Sequence, residues 1–238
     1  MTTIPTVVLV HGAFADSSSW NGVIEILAAE GVSVLAAANP LRGLTSDAAY
    51  VASVVDSIDG PVVLAGHSYG GSVISVAAQG KSQVTALVYL AAFIPQVGES
   101  ALALTDKFPG STLGPTTRPA SYPLADGADG TELYIRQDEF PQQFAADVPA
   151  ATAAAMAVTQ RPVALAALQE PAAAAAWTSI PAFALLTADD NNIPLEAQRF
   201  MAERAQAESV EIAASHAVTV SQPGVVAELI LRAVRQSN

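Results

Sequence analysis

Cysteine is absent from all 238 residues, which excludes disulfides, thiol nucleophiles and cysteine-based metal sites together. Histidine occurs three times, at His11, His67 and His216, too dispersed to build a zinc site without cysteine partners. Charge is also scarce: 13% of residues are charged, with 10 Lys and Arg against 22 Asp and Glu, a net charge of −12. Binding a phosphate backbone needs clustered cations, so nucleic acid is excluded as a partner, and the acidity reads as a solubility device. The opening Met1 to Pro5 has no basic leader region, and the apolar stretch after it breaks at His11-Gly12. No run is long and uninterrupted enough to span a bilayer, so a soluble cytoplasmic protein without a membrane partner is expected. There is no glycine-rich phosphate loop with lysine and no dinucleotide fingerprint, so no cofactor is expected.

What the chain has in quantity is apolar side chain, 51% of it, enough for a sizeable core. Apolar runs of strand length alternate with helical spacing: Thr6–Val10, Val32–Ala36, Val62–Ala65, Val84–Leu90, Ala182–Leu186 and Val210–Ile212. Such runs are apolar on both faces, which predicts a parallel sheet covered by helices on each side. Between Phe93 and about Thr178 the alternation stops. That stretch holds many prolines and glycines, no clean strand, and helix candidates at Ala145–Ala157 and Pro162–Ala176. It reads as an inserted helical cap (93–178) over a core formed by 1–92 and 179–238.

The most informative junction is Val62-Val63-Leu64-Ala65 running into Gly66-His67-Ser68-Tyr69-Gly70, followed by a helix-like Gly71–Ala78. Small residues two positions either side of Ser68 permit a turn too tight for side chains. A serine forced into a strand-to-helix corner is strained, with its hydroxyl exposed and the next N–H free, as a nucleophile requires. A serine hydroxyl needs a base. His67 is turned away from its neighbour's hydroxyl, and His11 ends the first strand where it suits loop orientation. That leaves His216, after the last strand. The base needs a carboxylate in turn, and the loop after the strand ending at Leu186 offers Asp189 and Asp190. Asp190 is favoured, four residues before Pro194. The oxyanion donors expected are the N–H of Tyr69 and one from the His11–Phe14 loop, with Ala13 first and Phe14 second.

With Val8–Phe14, Gly66–Gly71 and Ser215-His216 in view, the chain resembles the α/β-hydrolase superfamily. Within it, the chain is similar to a bacterial branch of small cofactor-free esterases related to plant methylesterases and hydroxynitrile lyases. The resemblance implies an α/β-hydrolase fold, a mostly parallel sheet of seven or eight strands with an inserted helical cap. It also implies a serine esterase acting on a small-molecule ester. Lyases of this group carry threonine and lysine where this chain has Gly12 and Ala217, so the pattern is esterase-like. Three other readings share the scaffold: a small-molecule-binding protein without turnover, a hydroxynitrile lyase, and a cofactor-free haloperoxidase. Oligomeric state leaves no mark in the sequence.

Overall fold

A computed structural model describes residues 4–237. Met1–Thr3, part of the stretch read above for a leader, lie outside the described residues. The chain alternates from its start: β1 (Thr6–Val10), α1 (Asn21–Ala29), β2 (Val34–Ala37), α2 (Leu44–Asp56), β3 (Val62–His67), α3 (Tyr69–Ala77) and β4 (Val84–Leu90). An inserted stretch follows, with α4 (Ala101–Lys107), α5 (Leu113–Thr116), β5 (Thr117–Pro123), β6 (Asp129–Ile135), α6 (Phe140–Phe144), α7 (Ala150–Thr159), β7 (Val163–Ala164) and α8 (Leu165–Gln169). The alternation then resumes through β8 (Ala182–Thr187), α9 (Leu195–Arg204), β9 (Glu208–Ile212), α10 (Val218–Ser221) and α11 (Pro223–Gln236).

The central sheet has six strands in the order β2-β1-β3-β4-β8-β9, and every neighbouring pair is parallel. Successive side chains of a strand point to opposite faces, so each strand feeds two apolar layers. Val7 and Leu9 join Trp20, Leu27, Val226 and Ile230 on one side, while Val8 and Val10 join Val51, Val55, Val73 and Ile74 on the other. Because β2 and β3 flank β1 on opposite sides, the loops leaving β1 and β3 diverge and open a crevice at the carboxyl edge.

All six apolar runs named from the sequence are strands, with ends displaced by at most two residues. The seventh and eighth strands that the resemblance implied do not occur in the central sheet among the described residues. The inserted stretch also corrects the sequence reading, since it contains an antiparallel sheet of order β5-β6-β7 and is not purely helical. Pro119 and Pro123 made β5 unreadable as a strand. It lies at the sheet edge, where a proline's missing N–H withdraws nothing from the ladder. Of the helix expected over Pro162–Ala176 only α8 forms: Val163 and Ala164 pair with β6, and Pro171 bars continuation. The insertion is tied to the core by an Arg42–Glu132 ion pair at 2.6 Å and by Ala164 N–H donating to Leu41 C=O at 2.9 Å. No helix among the described residues is long and apolar enough to cross a membrane.

Candidate active site

Ser68 sits at the corner between β3 and α3 with φ 55° and ψ −124°, left-handed backbone that a non-glycine residue adopts only under constraint. Its neighbours supply that constraint. Ser68 N–H donates to Leu90 C=O at 3.2 Å, and its own carbonyl accepts the N–H groups of Gly71 at 3.0 Å and Phe93 at 3.2 Å. Two glycines let the turn close. A Cβ on Gly70 would press on the Val10 carbonyl oxygen, and one on Gly12 would stand 2.6 Å from Ser68 Cβ. The side chain of Ser68 borders a cavity of about 380 Å³ at the sheet's carboxyl edge.

Apolar side chains dominate that cavity. Phe14 comes from the loop after β1, and Phe93, Leu102, Phe108, Leu133 and Leu168 from the insertion. Among the described residues, Asp106 is the one charged residue in its lining.

Asp190 and His216 are brought together. Asp190 Oδ2 lies 2.7 Å from His216 Nδ1, with both side chains almost wholly buried. The same oxygen accepts from Thr187 Oγ1 at 3.0 Å and Gln198 Nε2 at 3.2 Å, and Oδ1 accepts from the N–H groups of Asn192 and Ile193 at 2.8 and 2.9 Å. Asp189 is exposed, and its N–H donates to Ala214 C=O. Ser68 and His216 are not hydrogen-bonded to each other: among the described residues Ser68 Oγ makes no hydrogen bond. The elbow and the His216 loop are instead joined through His67, whose Nε2 donates to His216 C=O at 2.8 Å and whose ring centroid lies 4.8 Å from that of His216.

Burial, followed by the like charge His216 would carry, pushes the His67 pKa well below its ordinary value. His67 is therefore the neutral donor to that carbonyl. His11 is pushed down to about 4, also chiefly by burial, and its carbonyl accepts Asn39 Nδ2 at 3.0 Å, which fixes the start of the 11–14 loop. Phe14 N–H donates to Arg161 C=O at 3.0 Å and is occupied, whereas Ala13 N–H has no partner among the described residues. Tyr69 is the first residue of α3, where a helix leaves its N–H groups unused. Its phenol donates to buried Asp47 at 2.9 Å and pins the start of that helix.

Three anchors were not found in the sequence. The sequence places His67 inside the elbow, but its brace on His216 leaves no signal there. Asp47 is a helix residue like any other until Tyr69 is folded onto it. Asp147, which accepts both the N–H and the hydroxyl of Ser215, is 68 positions away along the chain.

A profile of the alpha/beta hydrolase family matches residues 7–229. The chain belongs to that family. Among solved structures of this fold, polyneuridine aldehyde esterase superposes with a TM-score of 0.83 at 21% identity, covering 97% of this chain and 99% of its own. A pyrethroid hydrolase from Sphingobium faniae JZ-2 gives 0.78 at 22% identity, covering 98% of each chain. Tomato methylketone synthase I, complexed with 2-tridecanone, gives 0.82 at 17% identity, covering 99% of this chain and 100% of its own. A carbendazim-hydrolyzing esterase of Nocardioides sp. (strain SG-4G) is 51% identical over 47 residues, so the match spans 19% of this chain and 19% of that relative's length. A fold shared with esterases and a synthase leaves the reaction to be argued from the site.

Proposed function

We propose that this α/β hydrolase is a serine esterase that cleaves a small, uncharged, apolar ester through an acyl-enzyme. Ser68 is the nucleophile, His216 the general base and Asp190 the carboxylate that fixes the imidazole tautomer. Ala13 and Tyr69 N–H groups form the oxyanion hole. His216 takes the hydroxyl proton as Ser68 Oγ attacks the carbonyl carbon, and the carbonyl electron pair moves onto the oxygen held by the two amides. Collapse breaks the ester C–O bond, and the alcohol leaves with the proton carried by His216. Water then gives a proton to His216, attacks the acyl carbon and releases the acid, returning the proton to Ser68.

The observation that carries this reading is Ser68 at φ 55° beneath an apolar cavity, with a buried His216–Asp190 pair joined to the same elbow. A serine–histidine hydrogen bond that is not made in the free protein is compatible with it, since such bonds tighten in the substrate complex. Phe14 N–H is already occupied, which favours Ala13 for the second oxyanion donor. The cavity supports the substrate class: a carboxylate-bearing substrate would meet Asp106 and no cation in its lining. The stretch 93–178 contributes much of that lining and acts as the cap. Relatives named as esterases or hydrolases agree with ester cleavage.

Ser68→Ala should lower turnover of short-chain p-nitrophenyl esters by about three orders of magnitude or more. Undiminished turnover in that variant would end the covalent mechanism. A fluorophosphonate reagent that fails to label Ser68 in the wild-type protein would favour the binding-protein reading instead.

A further inference from the structure

The loop carrying His216 has no regular secondary structure, yet each of its three central peptide groups is held from outside. Ser215 N–H donates to Asp147 Oδ2 at 3.0 Å, while the Ser215 hydroxyl donates to Asp147 Oδ1. His216 C=O accepts from His67 Nε2, and Ala217 N–H donates to Phe144 C=O at 2.9 Å. The Phe144 ring stands edge-on to the imidazole, centroids 4.9 Å apart at 81°. The loop carrying Asp190 is held by the same few residues. Buried Gln143 sends Nε2 to Asn191 C=O at 2.9 Å and to Asn192 Oδ1 at 2.7 Å, and Asn191 Nδ2 reaches Gln142 C=O at 3.1 Å. Thr112 Oγ1 donates to Gln143 Oε1 at 2.8 Å and fixes which way that amide points.

We propose that α6 and the turn to Asp147, although part of the inserted stretch, are the positioning element of the His216–Asp190 pair, with Asp147 and Gln143 as positioning residues. This rests on the esterase reading above. Two loops that follow different strands must present an imidazole nitrogen and a carboxylate oxygen 2.7 Å apart. Asp190 is held within its own loop and by Thr187 and Gln198, and both loops find further polar partners on one five-residue helix and the turn after it. A buried glutamine satisfied by an apolar neighbour's worth of volume would be replaceable by leucine. Here the amide N–H groups donate only to the acid loop, while the amide oxygen accepts the Thr112 hydroxyl that orients it. Misplacing a catalytic group by about 1 Å costs on the order of 100-fold in rate, so these contacts are felt in kcat.

The test compares Asp147→Ala, Asp147→Asn and Gln143→Leu with the wild-type enzyme, in kcat and KM for p-nitrophenyl butyrate and in the rate of fluorophosphonate labelling at Ser68. Asp147→Ala should lower kcat about 10–100-fold with KM unchanged. Asp147→Asn, which keeps one acceptor oxygen, should recover part of the loss. In a His216→Ala background Asp147→Ala should slow labelling no further, because a residue that acts through His216 has nothing left to position. Gln143→Leu keeps the core volume and serves where Asp147→Ala does not fold. Wild-type kcat in the folded variants would overturn the proposal, as would an equal labelling loss with and without His216. A wild-type protein that neither turns over ester nor labels at Ser68 would overturn the esterase reading itself, a different result from either.

Discussion

Asp189 and Asp190 are adjacent in the chain, but only Asp190 has exchanged water for protein. It accepts five hydrogen bonds, among them two backbone N–H groups and His216 Nδ1, while Asp189 remains exposed. A carboxylate beside an imidazole keeps the proton on Nδ1 and leaves Nε2 to take the serine proton; an amide in its place favours the wrong tautomer. Asp190→Asn should therefore reduce kcat on the order of 10³–10⁴-fold. Asp189→Asn should leave kcat unchanged, as steady-state assays of the two variants would show. An equal loss in both would remove Asp190 from its role. The sequence narrows the candidate acid to these two residues and, by the spacing before Pro194, favours Asp190, which is the one that lies beside His216. Solvent exposure, the property that separates them, depends on how the loop folds against Gln198 and His216.

At the scale of elements, the strand-to-helix corner depends on backbones that approach more closely than a Cβ allows. Gly70, in the first turn of α3, faces the carbonyl oxygen of Val10 at the end of β1. That neighbour is main chain in the middle of a sheet and has nowhere to move. Gly70→Ala should destabilise the fold by about 1–3 kcal/mol or more, seen as a lowered Tm. Gly114→Ala should be neutral, because a Cβ there meets nothing within 4 Å. Indistinguishable Tm values for the two variants would refute the close-approach argument. The corner was legible because its pattern is local: four apolar residues, small residues around a serine, then a helix. The β5-β6 hairpin was not. Its first strand, β5, carries Pro119 and Pro123, which an edge position tolerates, and a sequence does not state which strands are edges.

At the scale of the whole molecule, two histidines are buried neutral and tie stability to pH. The pKa of His11 falls from 6.5 to about 4 on folding, and that of His67 also falls well below its ordinary value. The unfolded chain takes up these protons first. The stabilisation is therefore fully present above about pH 6.5 and is lost as pH drops toward the folded values, at about 1.4 kcal/mol per pH unit for each histidine. Asp47, whose carboxyl is pushed up by burial, opposes this trend. Tm should fall between pH 6.5 and 4, the window given by His11, and His11→Asn should flatten the slope in a thermal melt series. A variant with the wild-type slope would mean that His11 is not buried neutral. The amino-acid order by itself determined the alternating architecture, the six strands and the serine corner, because hydrophobic period and turn chemistry are properties of neighbours in the chain. Tertiary structure alone decided which carboxylate meets His216, that Phe14 N–H is taken, and that Asp147 and Gln143 hold the loops. Those are contacts between segments tens of residues apart, and hydrogen-bond geometry exists only once the sheet has brought its loops to one edge.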